Sequence, residues 1–112
     1  MVIGVLPNSS SAQTCLNNLA EADFKRADVS VIMQDLKTRN AIAKDTGPLK
    51  GLQLANLPAK LGQIGLSPQD AKTCVDAVMQ GKVLIAIAAP KGSEQAALEM
   101  LNDYSPVFAR VV

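Results

Sequence analysis

The sequence predicts an α+β fold, a ferredoxin-like β-α-β-β-α-β sandwich with a helical insertion between its second and third strands. Three observations predict it. Strand-like runs fall at 2–7, 28–34, 82–89 and 106–112. Amphipathic helical stripes follow the first and third of these runs. What separates the second run from the third is a long stretch broken by glycine and proline, and its removal leaves the split β-α-β order. The 112 residues suit a single domain, 1–112, with 46–66 as an interrupted insertion, and 48% apolar residues is a globular composition.

The first strand is "VIGVLP" (2–7). Ser10 and Gln13 then stand at capping-box spacing, which starts a helix near Ser11. Ala12, Cys15, Leu16, Leu19 and Ala20 give that helix one apolar face. In "ADVSVIMQD" (27–35), Val29, Val31 and Met33 share one face, and Ser30, Ile32 and Gln34 the other. A half-polar strand of this kind belongs near a sheet edge. Asp35 is placed to cap a short helix, "LKTRNAIAKD", which "TGP" stops.

Residues 46–66 hold four glycines and two prolines. They are apolar enough to pack but too interrupted for one helix, so a loop with a short helix around Pro58–Gln63 is expected, with the least protected backbone of the chain. Ser67 and Pro68 make a clean helix start with Asp70 in the first turn. Ala71, Cys74, Val75, Val78 and Met79 form its stripe, and Gly81 is its stop. Gly92 and Ser93 open the last helix, with Ala97, Leu98, Met100 and Leu101 inward, and "SPVFARVV" (105–112) is the last strand.

The stretch "GKVLIAIAAP" (81–90) is the least ordinary element, because it is apolar from Val83 to Ala89 without alternation. A strand of that kind is covered on both faces. Val83, Ile85, Ile87 and Ala89 point one way, Leu84, Ala86 and Ala88 the other. The helices at 11–22 and 93–103 cover one face only. The second face is expected to be closed mainly by helix 68–80 through Cys74, Val75 and Val78, with Gly4 beside Ala86 and Ala88. Apolar surface left over would serve self-association or docking. The echo between "AQTCLNNL" (12–19) and "AKTCVDAV" (71–78) stops short of the flanking strands, so it reads as two helices meeting the same packing demand rather than as a duplication.

The chain has no histidine, which removes the usual general base near neutral pH and imidazole-built zinc sites. Ser9, Ser10 and Ser11 have no base to activate them, Asp70 and Asp76 do not converge, and no catalytic residue, metal or cofactor is expected. Cys15 and Cys74 each fall on a helix stripe and read as buried thiols rather than a disulfide. Aromatic residues are only 3% of the chain and net charge is +1, which speaks against nucleic acid as a partner. The start of the chain reads as a strand rather than a leader, and no window reaches the ~20 apolar residues of a membrane span, so a cytoplasmic protein without a transmembrane segment is expected.

Two surfaces are candidate binding sites. Asn8, Ser9, Ser10 and Ser11 lie where a strand meets a helix N-terminus, a place for a small anion, although structural capping explains the same residues. Residues 37–66 carry +4 through Lys37, Arg39, Lys44, Lys50 and Lys60 against Asp45, while the remainder carries −3. Such a basic stretch suits an acidic protein partner or peripheral contact with an anionic lipid surface, against the plainer reading of a solvated face.

"ADFKRADVSVIMQD" (22–35), "GLSPQDAKTCVDAVMQGKVLIAIAAP" (65–90) and "SEQAALEMLNDYSP" (93–106) together resemble the general stress protein 17M-like family, the heat-induced stress protein domain. Members of that family commonly carry a long glycine-rich apolar hairpin between the two blocks, here shortened to "TGPLKGLQLANLPAKLGQIG". The resemblance implies a stress link and carries over no catalytic residue. The expected function is a non-catalytic stress-associated interaction module, a homo-oligomer or an accessory subunit on a larger protein assembly. The alternative is a small-anion or phosphate sensor built on residues 8–13.

Overall fold

The computed structural model describes residues 1–112. It is an α+β structure with a four-stranded antiparallel sheet and five α-helices. In chain order these are β1 (Val2–Leu6), α1 (Ser9–Glu21), β2 (Val29–Ile32), α2 (Leu36–Ile42), α3 (Leu57–Gln63), α4 (Pro68–Met79), β3 (Val83–Ile87), α5 (Glu94–Asn102) and β4 (Phe108–Val111). The sheet order is β2-β3-β1-β4. Gly4 lies opposite Ile85 of β3 and Ala109 of β4, and Ser30 lies opposite Ala86.

All five residues of β3 are buried, and the two faces of the sheet explain it. On one side Val83, Ile85 and Ile87 join Val2, Leu6, Val29 and Val31 against Cys15, Leu16 and Leu19 of α1 and Ala97 and Leu101 of α5. On the other, Leu84 and Ala86 join Ile3, Val5 and Ile32 against Leu57 and Leu61 of α3 and Ala71, Cys74, Ala77 and Val78 of α4. The apolar run of β3 is thus closed within one chain, through Cys74 and Val78 as the sequence led us to expect.

Several details differ. Val75 is half-buried and packs against the second-face core as expected, and Ala77 joins it more deeply than its size suggested. Met79 is 54% exposed at the end of its helix. Ala88 lies beyond the strand and is exposed. Gly4 belongs to the α5 face, because β1 alternates and Val2 and Leu6 share that face with it. A Cβ there would sit 2.8 Å from Leu101 Cδ1. Helix α1 begins two residues before the expected start and is capped by Asn8, whose Oδ1 accepts from Ser11 N–H at 2.8 Å. Asp35 and Ser67 cap α2 and α4 as read from the sequence.

The insertion holds the expected short helix, α3, and is packed more fully than its glycines and prolines suggest. Its leucines Leu49, Leu57, Leu61 and Leu66 are buried in the second-face core, so 46–66 is a layer on the sheet. It is also fastened to β2. Ser30, the one buried polar residue, donates its hydroxyl to Thr46 C=O at 2.6 Å and accepts from Leu49 N–H at 2.8 Å. Thr46 in turn donates its hydroxyl to Val29 C=O and Arg26 C=O, each at 3.0 Å. Three of the four glycines, Gly47, Gly51 and Gly65, take positive φ in turns, Gly62 lies within α3, and the buried leucines are the anchors.

The two thiols are free and fully buried on opposite sides of the sheet, so no disulfide can join them. Burial pushes each from its ordinary value of 9.0 up to about 11, with Asp103 adding to the rise at Cys15. At Cys74, Asp70 adds to the rise and Arg110 opposes it. Between these values the folded state keeps protons that the unfolded state has lost. The thiols' contribution is therefore complete below pH 9 and falls as pH rises towards 11, by about 2–3 kcal/mol per thiol. Denaturant titrations across that window should show a steeper loss in the native protein than in Cys15→Ala or Cys74→Ala. Equal slopes would mean that the thiols are not desolvated.

Candidate functional site

The sequence-derived residues are not brought together. Asn8 caps α1, its side chain accepting from Ser11 N–H, while the Thr14 hydroxyl donates along the helix to Ser10 C=O. Lys37, Lys44 and Lys50 are exposed on α2 and the loops after it, and Lys60 is half-buried on α3. Arg39 differs from the other four. It turns inward beside Asp45, Nη1 to Oδ1 3.5 Å, with its side chain 15% exposed. Its Nε is buried with no acceptor.

Two features lie outside what the sequence pointed to. The first is the outer edge of β2. Cavities of about 450 and 420 Å³ flank it, and Val31 lines both. Residues 40–44 and Thr46 wall one of them. Leu36, Arg39, Asp45 and residues 51–54 wall the other. A hint existed in the sequence: Arg39 stands three residues before Ile42, which packs on the core, so an arginine shares the inward side of a short helix.

The second feature is the outer edge of β4. Met1 C=O accepts from Val112 N–H, which fixes the alternation of the β1–β4 ladder. Phe108 and Arg110 therefore bond to β1, while the N–H and C=O of Ala109 and Val111 face outward from an open sheet edge. Val107 and Val111 beside them are 47% and 36% exposed, two of four large apolar residues so exposed on the molecule. Arg110 lies 5.2 Å from the Phe108 ring centroid and pairs with Asp70 of α4.

No helix of the chain is long and apolar enough to cross a membrane. The chain matches no family model, no curated protein and no solved structure.

Proposed function

We propose that this chain is a non-catalytic interaction module that works as a homo-oligomer through the outer edge of β4. Docking on a larger protein assembly would be the same mode with a different second strand. The observation that carries this reading is that edge, where unpaired backbone groups of Ala109 and Val111 run beside exposed Val107 and Val111. Edges of this kind recruit another strand unless charge, proline or a bulge blocks them. The edge is self-complementary about Ala109. A second copy set antiparallel there pairs Ala109 with Ala109 through the backbone. At 107 and 111 the match is between side chains, because Val107 N–H is spent on Val5 C=O at 2.9 Å, so Val111 meets Val107 of that copy as apolar surface and Arg110 meets its Phe108 as a cation on an aromatic face.

A ferredoxin-like organisation is part of the proposal. Its support is two β-α-β units, each split by a strand of the other: β3 lies between β1 and β2, and β1 between β3 and β4. The stress association rests on the resemblance of residues 22–35, 65–90 and 93–106 to the general stress protein 17M-like family. A cytoplasmic location is supported by the two free thiols.

Sedimentation equilibrium tests the oligomer. A concentration-dependent dimer is expected, with Val111→Lys giving a monomer of unchanged thermal stability at low concentration. A monomer up to ~1 mM, where association would be worth only about −4 kcal/mol, would overturn the reading. A dimer indifferent to Val111→Lys would place the contact elsewhere and overturn the edge.

A further inference from the structure

Unpartnered polar groups converge on the cavity of about 420 Å³ at the end of β2. The first belong to Val31. Asp28 C=O accepts from Ala88 N–H of the β3 side, and Thr46 donates to Val29 C=O on the outer side. Alternation along the ladder then turns the N–H and C=O of Val31 outward, away from β3. No protein group meets them there, although Val31 is 2% exposed. Buried backbone donors and acceptors without partners are rare in folded chains, and each asks for an explanation.

The second unpartnered group is the Arg39 guanidinium. Its Nε is buried without an acceptor, and its one anion, Asp45, stands at 3.5 Å. Asp45 is already committed, because both of its carboxylate oxygens accept from Gly51 N–H at 3.1 Å. The guanidinium fork is built to take a carboxylate through two parallel bonds, which Asp45 does not provide. The other walls mix aliphatic Ile32, Leu52 and Leu54 with the polar Gln34 and Gln53, and Leu36 stands at the rim, 61% exposed. The volume lies in the range of small-ligand sites.

We propose that this cavity binds an N-acylated aliphatic amino acid, an amide next to a carboxylate. The amide pairs with the outward N–H and C=O of Val31 as an added strand would. The carboxylate takes the Arg39 guanidinium, and the aliphatic side chain lies against Leu52 and Leu54. The same chemistry occurs as a free small molecule and as the C-terminus of an extended polypeptide.

NMR titration with N-acetyl-leucine tests the site. Saturable shifts are expected at the Val31 amide and the Arg39 Nε–H. N-acetyl-leucinamide, which lacks the carboxylate, and isocaproate, which lacks the amide, should each bind more weakly. Arg39→Gln should weaken binding ~10–100-fold, the value of a hydrogen-bonded charge. Asp45→Asn should tighten it, since the competing anion is gone while an acceptor for Gly51 remains. Tighter binding of an acetylated tetrapeptide ending in leucine would identify a polypeptide C-terminus as the source, and equal binding the free ligand. Absence of a saturable shift at Val31 would overturn the proposal. So would an Asp45→Asn protein that keeps its native spectrum and binds more weakly. If Arg39→Gln fails to fold, the opposite responses expected of Asp45→Asn and of N-acetyl-leucinamide still decide the matter.

Discussion

Replacing Gly47 by alanine is expected to destabilise the fold by about 2–5 kcal/mol, a large share of what a domain of this size has. Two effects add. Gly47 has φ +83°, a left-handed conformation that costs an L-residue about 1–2 kcal/mol. Its added Cβ would also lie 2.4 Å from the Val29 carbonyl carbon and 2.6 Å from Ser30 N. Those are backbone atoms of a strand paired with β3, so they cannot swing aside as a side-chain end could. Relief requires the 46–49 turn to lift from β2. That lift would break the bonds from Thr46 to Val29 and from Ser30 to Thr46. Gly51→Ala is the control. It has φ +76°, but nothing lies within 4 Å of its added Cβ, so it carries the conformational cost alone. Denaturant unfolding should separate the two variants by the steric part, and hydrogen exchange at Leu49 should quicken only in Gly47→Ala. Equal losses in both would mean that the insertion does not rest on β2.

That close approach could not be read from the sequence. "TGP" announces a turn, and a glycine in a turn serves backbone freedom or proximity with the same letter. The distinction depends on β2 lying beneath it, which is a long-range fact. The same limit hid the edge of β2, where the outward groups of Val31 follow from a register that no local pattern specifies. Arg39 was read with four lysines as surface charge, because a basic residue in a short helix is usually solvated. Its inward turn depends on where α2 docks.

What was legible is what local periodicity dictates. Ala12, Cys15, Leu16 and Leu19 recur at helical spacing and are buried together on the α1 face. Val29, Val31 and Met33 alternate and reach the same core. The missing alternation in Val83–Ile87 foretold cover on both sides, and the cover is present. The stripe departs from the structure at Met79, exposed at the end of α4, and at Ala77, a small residue facing the sheet that size alone undervalues. Gly4 slipped for a different reason: a residue without a side chain shows no face until its neighbours assign one.

Ala86 carries the last expected result, and the cover on the second face fixes its sign. It is fully buried, opposite Ile3 on β1 and Ser30 on β2, in the same cluster as Ala71, Cys74, Ala77 and Val78 of α4. Alanines on the strand and on the helix leave no room for a larger side chain between them, so Ala86→Leu should cost about 1–3 kcal/mol through overpacking. Ala86→Lys should cost more, since the ammonium would enter a cluster whose other buried members are apolar. Ala88, two residues on and exposed, should accept leucine within about 0.5 kcal/mol. Thermal and urea unfolding of the three variants measures this order. A partner bound over an otherwise bare face would give a different pattern, with losses at Ala86 that shrink as the protein is diluted to a monomer. Cover supplied by α3 and α4 of the same chain predicts losses independent of protein concentration, because those helices travel with the sheet they close.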